Sequence, residues 1–337
     1  MLKQKRTMPD ISIVIPLYNE EESLAELNDW IRRVMLEEGF SYEVIFVDDG
    51  STDGSWHEIE KIASSDACVR AIKLRGNQGK SIALRAGFRA ACGNVVFTMD
   101  ADLQDSPDEL PEMYRMITRD GYDMVSGWKK KRYDPLSKTI PTKLFNYVAR
   151  KASGLTLHDF NCGLKAYRSE VVKSIDIYGE MHRYIPMLAQ GAGFSKIGEK
   201  VVQHRARKYG HTKFGLERFV NGMLDMISIV VLRRFGRRPM HFFGLVGFLM
   251  FTVGFFSAAY IGINKLYMLA AGQKAILVTD NPWFYIMLTM MILGVQFFMA
   301  GFIGEMIVKN RSHMPDFNLD REIGPATDKT HGETKQK

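Results

Sequence analysis

Residues 242–263 and 283–304 contain no Asp, Glu, Lys, Arg or His, and each stretch is 22 residues long. As a helix each spans roughly 33 Å, enough for one crossing of a bilayer. Two such stretches near one end of a chain argue against a pair of core helices in a soluble fold. Arg233, Arg234, Arg237 and Arg238 precede the first stretch, and Lys309 and Arg311 follow the second. The intervening residues 264–282 carry only Lys265 and Lys274 as basic residues. The positive-inside rule therefore predicts a transmembrane hairpin with both flanks cytoplasmic. Residues 1–10 are polar and basic with no apolar run behind them, so no signal peptide is expected. The first 230 or so residues and both termini are therefore expected in the cytoplasm, with the chain anchored as a multi-pass protein of the cytoplasmic membrane.

The rest of the composition is that of a globular chain of one or two domains, 337 residues with a net charge of +7. The positive charge lies in short clusters, which suits lipid headgroups or phosphates and gives no sign of a nucleic-acid partner. Cys68, Cys92 and Cys162 are scattered without metal-ligand spacing and read as reduced thiols.

Before the apolar stretches, strand and helix patterns alternate. Residues 11–16, 42–47, 69–74, 95–99 and 122–126 are short apolar runs, and those before 95–99 are followed by segments of helical spacing. Asn19 reads as a helix cap with Glu20 to Glu22 in the first turn, and Asp53 as the cap of the next helix. Ser106, Pro107 and Glu109 read as a capping box after the fourth strand. Such alternation implies a mostly parallel sheet covered on both faces, with ligands bound beyond the carboxyl ends of its strands. Four of those ends carry polar chemistry: residues 16–20, 48–51, 76–80 and 100–104. Their shared edge is the candidate active site. Further on, residues 136–154 look helical, and Leu164 to Tyr167 and residues 194–203 read as strands. The basic stretch 204–213 follows, then a helix from 214 on the membrane surface and a disordered polar tail from 315.

Asp100 and Asp102 end the fourth strand one residue apart and can face one point. Two such carboxylates repel unless a proton or cation lies between them, and a hard divalent cation shared with a substrate phosphate suits them. Asp48 or Asp49 can accept hydrogen bonds from a base or ribose, and Lys80, near a helix N-terminus, can meet a phosphate. Glu21, Glu22 and Asp105 read as solvated. A dinucleotide-binding fold is disfavoured, because residues 16–20 lack the G-x-G-x-x-G pattern. A Walker-type NTPase is disfavoured because Gly76 lies two residues too close to Gly79 and Lys80.

The runs Ile13 to Glu20, Phe46 to Asp53, Gly76 to Lys80 and Asp100 to Asp105 resemble glycosyltransferase family 2, in the branch of polyprenyl-phosphate glycosyltransferases. The resemblance runs from about residue 11 to 213, and the two apolar stretches extend it. It implies a GT-A fold, a mixed and mostly parallel α/β sheet over residues 11–213. A juxtamembrane amphipathic helix and basic collar (214–240), two transmembrane helices (241–308) and a cytoplasmic tail (309–337) follow, with residues 1–10 as an N-terminal tail. The implied enzyme uses a nucleotide-sugar donor, a polyprenyl phosphate acceptor and a divalent cation, Mg²⁺ or Mn²⁺. It also admits a homo-tetramer.

By the same resemblance Pro16, Tyr18, Glu20, Asp48, Asp49, Lys80, Asp100 and Ala101 match nucleotide-binding positions, and Asp100, Asp102 and Gln104 match metal-binding positions. Asp159 sits where the family has a candidate catalytic carboxylate. Arg207 and Lys213 match basic residues near the diphosphate and the acceptor phosphate. Lys129 occupies the region where relatives often show Arg, and with Arg132, Arg233 and Arg234 it is a candidate for acceptor phosphate or lipid contact. A solvated basic loop is the alternative for 129–132. The resemblance favours UDP-glucose as donor, with UDP-N-acetylglucosamine and GDP-mannose open. A processive polysaccharide synthase would carry Q-x-x-R-W and more spans. An inactive membrane-bound nucleotide binder would be missing an acidic position, and none is missing here.

Overall fold

The structure, a computed structural model, describes residues 8–130, 146–151, 153–205, 208, 239–273, 277–309 and 319–323. The chain forms two compact units, Met1–Met226 with Phe317–Lys337, and Ile227–Asp316. The strands of the first unit are β1 (Ile11–Leu17), β2 (Tyr42–Asp48), β3 (Val69–Leu74), β4 (Val95–Thr98), β5 (Met124–Trp128), β6 (Lys165–Arg168), β7 (Ile197–Val201) and β8 (Leu319–Ile323). Helices α1 (Leu24–Glu38), α2 (Ser55–Ser65), α3 (Lys80–Ala90) and α4 (Leu110–Thr118) follow the first four strands in turn. Two short helices, α5 (Ser169–Ser174) and α6 (Ile185–Gly191), lie between β6 and β7.

All eight strands join one sheet in the order β7-β5-β6-β4-β1-β2-β3-β8. β1 pairs in parallel with both β2 and β4, and β2 pairs in parallel with β3. Every residue of β1 is buried, as a mostly apolar central parallel strand requires, and its one polar side chain, Ser12, donates to Glu43 at 2.6 Å. The chain leaves β3 on one side of β1 and returns as β4 on the other. This makes a topological switch point between β1 and β4, where such sheets bind ligands. β6 runs antiparallel to β4 and β5, and β5 runs parallel to β7. The carboxyl ends of β1 to β5 and β7 and the entry to β6 therefore share one edge.

Several local expectations change. Asn19 does not cap α1, which begins at Leu24 behind Ser23. Asn19 instead has φ +56° and binds the loop after β2, accepting the Thr52 N–H at 2.8 Å and donating its own N–H to Ser51 Oγ at 2.9 Å. The capping box does not form, because the Glu109 carboxylate turns away to Lys200 and accepts the Gln203 N–H at 3.0 Å. Residues 319–323, read as part of a disordered tail, form β8, antiparallel to β3. That strand covers what would otherwise be an open sheet edge.

In the second unit α7 (Pro239–Ala270) and α8 (Pro282–Lys309) pack as an antiparallel pair. A Cβ on Gly247 would stand 2.5 Å from the Gly294 carbonyl oxygen, so only glycines allow this approach. α7 is longer than its uncharged stretch because residues 264–270 continue it. It ends in a left-handed Gly272 (φ +70°), with Gly272 N–H on the Leu269 carbonyl and Gln273 N–H on the Met268 carbonyl. Both helices are long and apolar enough to cross a membrane, and only 17% and 11% of their apolar windows are buried in the protein. Core helices of a soluble fold would be covered.

Candidate active site

The loop after β2 begins at Asp48, which is fully buried. Its Oδ1 accepts the Ser51 N–H at 2.8 Å, while Oδ2 is buried without a hydrogen-bond partner. A carboxyl oxygen buried in this way is an acceptor in want of a donor. Asp49 has a different task. Its two oxygens accept the N–H groups of Gln78 and Gly79 at 2.7 and 2.8 Å, tying this loop to the one after β3. Burial raises its pKa, against the pull of those two donors. Gly50, at φ +72°, lets the loops touch, since a Cβ there would lie 2.5 Å from the Gly76 backbone. Tyr18 and Glu20 are half-buried at the end of β1, and the Glu20 N–H donates to Ser55 Oγ at 3.0 Å.

Lys80, the first residue of α3, binds Asp100 at 2.5 Å. Burial pushes the Asp100 pKa up, but the charges of Lys80 and Lys129 outweigh it and leave it at about 2. Asp102 is pushed up to about 6 by burial and by the charges of Asp100 and Asp105. Mutual repulsion is the mark of carboxylates that a cation would relieve. Among the described residues no group of three or more His, Cys, Asp or Glu gathers as a metal site. A cation there would have two carboxylates from this chain and would need its remaining ligands from outside it.

Ala101 is in the core, and Leu103 holds a left-handed φ of +61° that folds the loop back. Gln104 is bonded through its amide nitrogen and its backbone carbonyl. Its Nε2 donates to the Arg205 carbonyl at 3.4 Å and its carbonyl accepts the Arg205 N–H at 3.0 Å, joining the carboxylate loop to the exit of β7.

Two charge assignments are corrected. Asp105 is fully buried, not solvated, and Lys129 is neither an exposed loop residue nor an open phosphate contact. They pair at 2.7 Å. Burial would lower the Lys129 pKa, but Asp105 more than reverses that and raises it.

Asp159 is buried at the entry to β6. Its Oδ1 accepts the Asn161 N–H at 3.0 Å. Glu199 of β7 holds the turn, accepting the N–H groups of His158 and Asp159 at 2.8 and 2.9 Å and lying 2.7 Å from His158 Nδ1. Trp128 stacks on the His158 ring at 4.1 Å.

Beneath Asp100 is a cavity lined by Pro16, Lys80, Asn161, Lys165, His182 and Arg183, among others. The last four were not singled out from the sequence. Lys165 is a lysine inside an apolar strand run, a pattern that could have marked it. His182 lies beside α3, its N–H donating to Ser81 Oγ at 3.0 Å and its Nδ1 3.1 Å from the same oxygen. Burial, with Lys80, Arg183 and Lys165 nearby, holds its pKa well below the usual imidazole value, so it is neutral. Arg132, Arg207, Lys213, Arg233 and Arg234 lie outside the described residues.

The sequence model described as glycosyl transferase family 2 matches residues 12–176. The chain is 33% identical over 303 residues to dodecaprenyl-phosphate galacturonate synthase of Rhizobium johnstonii, covering 89% of this chain and 88% of that protein. It is 33% identical over 298 residues to undecaprenyl-phosphate 4-deoxy-4-formamido-L-arabinose transferase of Proteus mirabilis, covering 88% of each. Among solved structures it resembles glucosyl-3-phosphoglycerate synthase from Mycobacterium tuberculosis in complex with Mn²⁺ and UDP-glucose, with 22% identity and a TM-score of 0.51 over 67% of this chain and 79% of that one. The last likeness shows a shared fold.

Proposed function

Because the chain belongs to glycosyltransferase family 2, we propose that this GT-A enzyme moves a sugar from a nucleoside-diphosphate sugar to a polyprenyl phosphate at the cytoplasmic face of a membrane. One observation carries the reading. A single chain holds paired carboxylates at the switch point of its sheet and two helices that can cross a bilayer. The first suits a diphosphate donor, and the second suits a lipid acceptor. The two named relatives act on lipid-linked phosphates by their names, and they align over most of this chain. They name galacturonate and 4-deoxy-4-formamido-L-arabinose as sugars, so UDP-glucose is one donor among several to be tried.

A phosphate monoester has a second pKa near 6 and is mostly dianionic at neutral pH, so it needs no base to become a nucleophile. One of its oxygens attacks the sugar C1 from the face opposite the diphosphate. The C1–O bond to the diphosphate breaks, the electron pair leaves with the nucleoside diphosphate, and C1 is inverted. Asp48, with its free buried oxygen, orients the nucleoside, and Lys80 is placed to follow the phosphate charge. Asp100 and Asp102 would hold a divalent cation, Mg²⁺ or Mn²⁺, which when bound neutralises charge on the leaving diphosphate. Asp159 orients cationic groups on the acceptor side. Arg207 and Lys213 are the proposed acceptor-phosphate contacts. The Arg-rich flanks of the hairpin keep the catalytic unit and both termini on the cytoplasmic side.

The test is transfer from radiolabelled UDP- and GDP-sugars to undecaprenyl phosphate with Mg²⁺, with Mn²⁺ and with EDTA. The expected result is an organic-extractable product from one donor class that disappears with EDTA. Nucleotide-sugar binding without lipid product from any donor would overturn the acceptor assignment. Full activity in EDTA would remove the cation.

A further inference from the structure

We propose that helix α1 presents a dock, built from Trp30 and Glu26, that positions the basic segment after β7 for the lipid phosphate. The inference rests on the assignment of Arg207 and Lys213 to the acceptor phosphate. It adds positioning residues that act through that segment without touching substrate.

The backbone of the segment is stitched to the carboxylate loop. The Gln203 N–H donates to the Glu109 carboxylate at 3.0 Å, His204 bridges to Asp105, and the Arg205 N–H donates to the Gln104 carbonyl at 3.0 Å. Two side chains then turn to α1. The Arg205 guanidinium carbon lies 4.0 Å from the centre of the Trp30 ring, a cation–π contact. Three residues on, the Lys208 ammonium binds the Glu26 carboxylate at 2.7 Å. Glu26 and Trp30 are four positions apart, so they stand on one face of α1 in successive turns.

The Trp30 ring is itself held in place. It is buried, and its Nε1–H donates to Asp108 Oδ1 at 3.0 Å. Asp108 Oδ2 accepts the Ser106 hydroxyl at 3.0 Å, so the ring is tied to the end of the same loop that holds the segment's backbone. The distribution of charge selects the role. Residues 204–213 contain four Lys or Arg, at positions 205, 207, 208 and 213. Arg205 and Lys208 are engaged by α1, and the other two are those assigned to the phosphate. A segment already held at two points loses less conformational freedom when it meets its ligand. The dock therefore acts on the affinity for the lipid phosphate and leaves that for the nucleotide alone.

The experiment is calorimetric binding of farnesyl phosphate, and separately of UDP and GDP, to the full chain in detergent with Mg²⁺. The variants are Glu26→Lys, Lys208→Glu, both together, Trp30→Leu and Trp30→Phe. Glu26 and Lys208 are exposed, so their exchange leaves the core intact. As a point charge alone, Glu26→Lys would draw a phosphate closer. The dock predicts the reverse, a loss of about 2- to 5-fold for farnesyl phosphate, the range for an exposed ion pair. The double exchange should return to within about twofold of wild type, because the pair is restored with its signs reversed. Trp30→Leu should weaken farnesyl phosphate by about 2- to 5-fold, and Trp30→Phe, which keeps an aromatic face for Arg205, should weaken it less. Nucleotide affinity should change less than about twofold in every variant. Unchanged or tighter farnesyl phosphate binding by Glu26→Lys, no recovery in the double exchange, or an equal loss for nucleotide would each overturn the proposal. Arg207→Ala with Lys213→Ala separates the two readings. If that variant loses farnesyl phosphate while the α1 variants do not, only the dock falls. If it binds farnesyl phosphate as the wild type does, the acceptor assignment falls and the dock's role with it.

Discussion

Gly163 fixes where Asp100 can stand. A Cβ at that position would fall 2.5 Å from Asp100 Oδ2 and 2.6 Å from its Cγ, against a carboxylate already held by Lys80. The carboxylate would have to leave that place. A displacement of about 1 Å at a reacting centre can cost on the order of 100-fold in rate. Gly163→Ala should therefore lower transfer by about that factor, with the thermal midpoint of the catalytic unit nearly unchanged. Steady-state transfer and a melting curve measure the two. That Asp100 and Asp102 follow the fourth strand was legible in the sequence, because a strand running into two carboxylates is a local pattern. Gly163 and Lys165 were not, since their contacts with the Asp100 loop arise from the insertion of β6 beside β4, more than 60 positions along the chain.

The carboxylate loop behaves as an element clamped at both ends. Lys80 holds its start, and Lys129 at the end of β5 holds Asp105. Asp105 also bridges to His204, and Gln104 to Arg205, so the loop is continuous with the exit of β7. Lys129→Met removes the partner of a fully buried carboxylate and should destabilise the catalytic unit by about 3–5 kcal/mol. Replacing both members, Asp105→Leu with Lys129→Met, should recover most of that loss, since two apolar residues leave no unmatched charge. Denaturant unfolding of the two variants compares them, and a double variant as unstable as the single would refute the pairing. Sequence placed Asp105 in solvent and Lys129 on a phosphate, lipid or solvent contact, because charged residues near turns usually face outward. The pairing depends on strand order, which brings β5 and the β4 loop to one edge and has no local signature. The parallel strands themselves were easy to read, because burial on both faces writes short, mostly apolar runs rich in Val and Ile. The α1 cap and the box at Ser106 were misread for the converse reason. Their polar groups were taken by distant partners, Asn19 by the loop after β2 and Glu109 by Lys200.

At the scale of the molecule, the sheet is closed by a strand from the far end of the chain. β8 pairs with β3 from Leu319 opposite Leu74 to Ile323 opposite Ala71. Deleting residues 319–337 would leave β3 as an open edge, with backbone groups available to other chains. The truncated protein should still insert its hairpin, but its catalytic unit should melt several degrees lower and self-associate. Thermal unfolding in detergent and light scattering would show this, and an unchanged midpoint would mean that β8 contributes nothing to the sheet. The spans were legible from charge alone, whereas β8 was not, since five residues with three charges among them do not look like a strand.

The order of β8 in the chain also sets an order in time. Translation runs from the first residue to the last, so the ribosome makes seven strands of the sheet, then both apolar helices, and only then the eighth strand. The sheet cannot be complete on a nascent polypeptide whose hairpin has yet to be synthesised. Completion of the sheet is thereby scheduled behind the two long apolar helices.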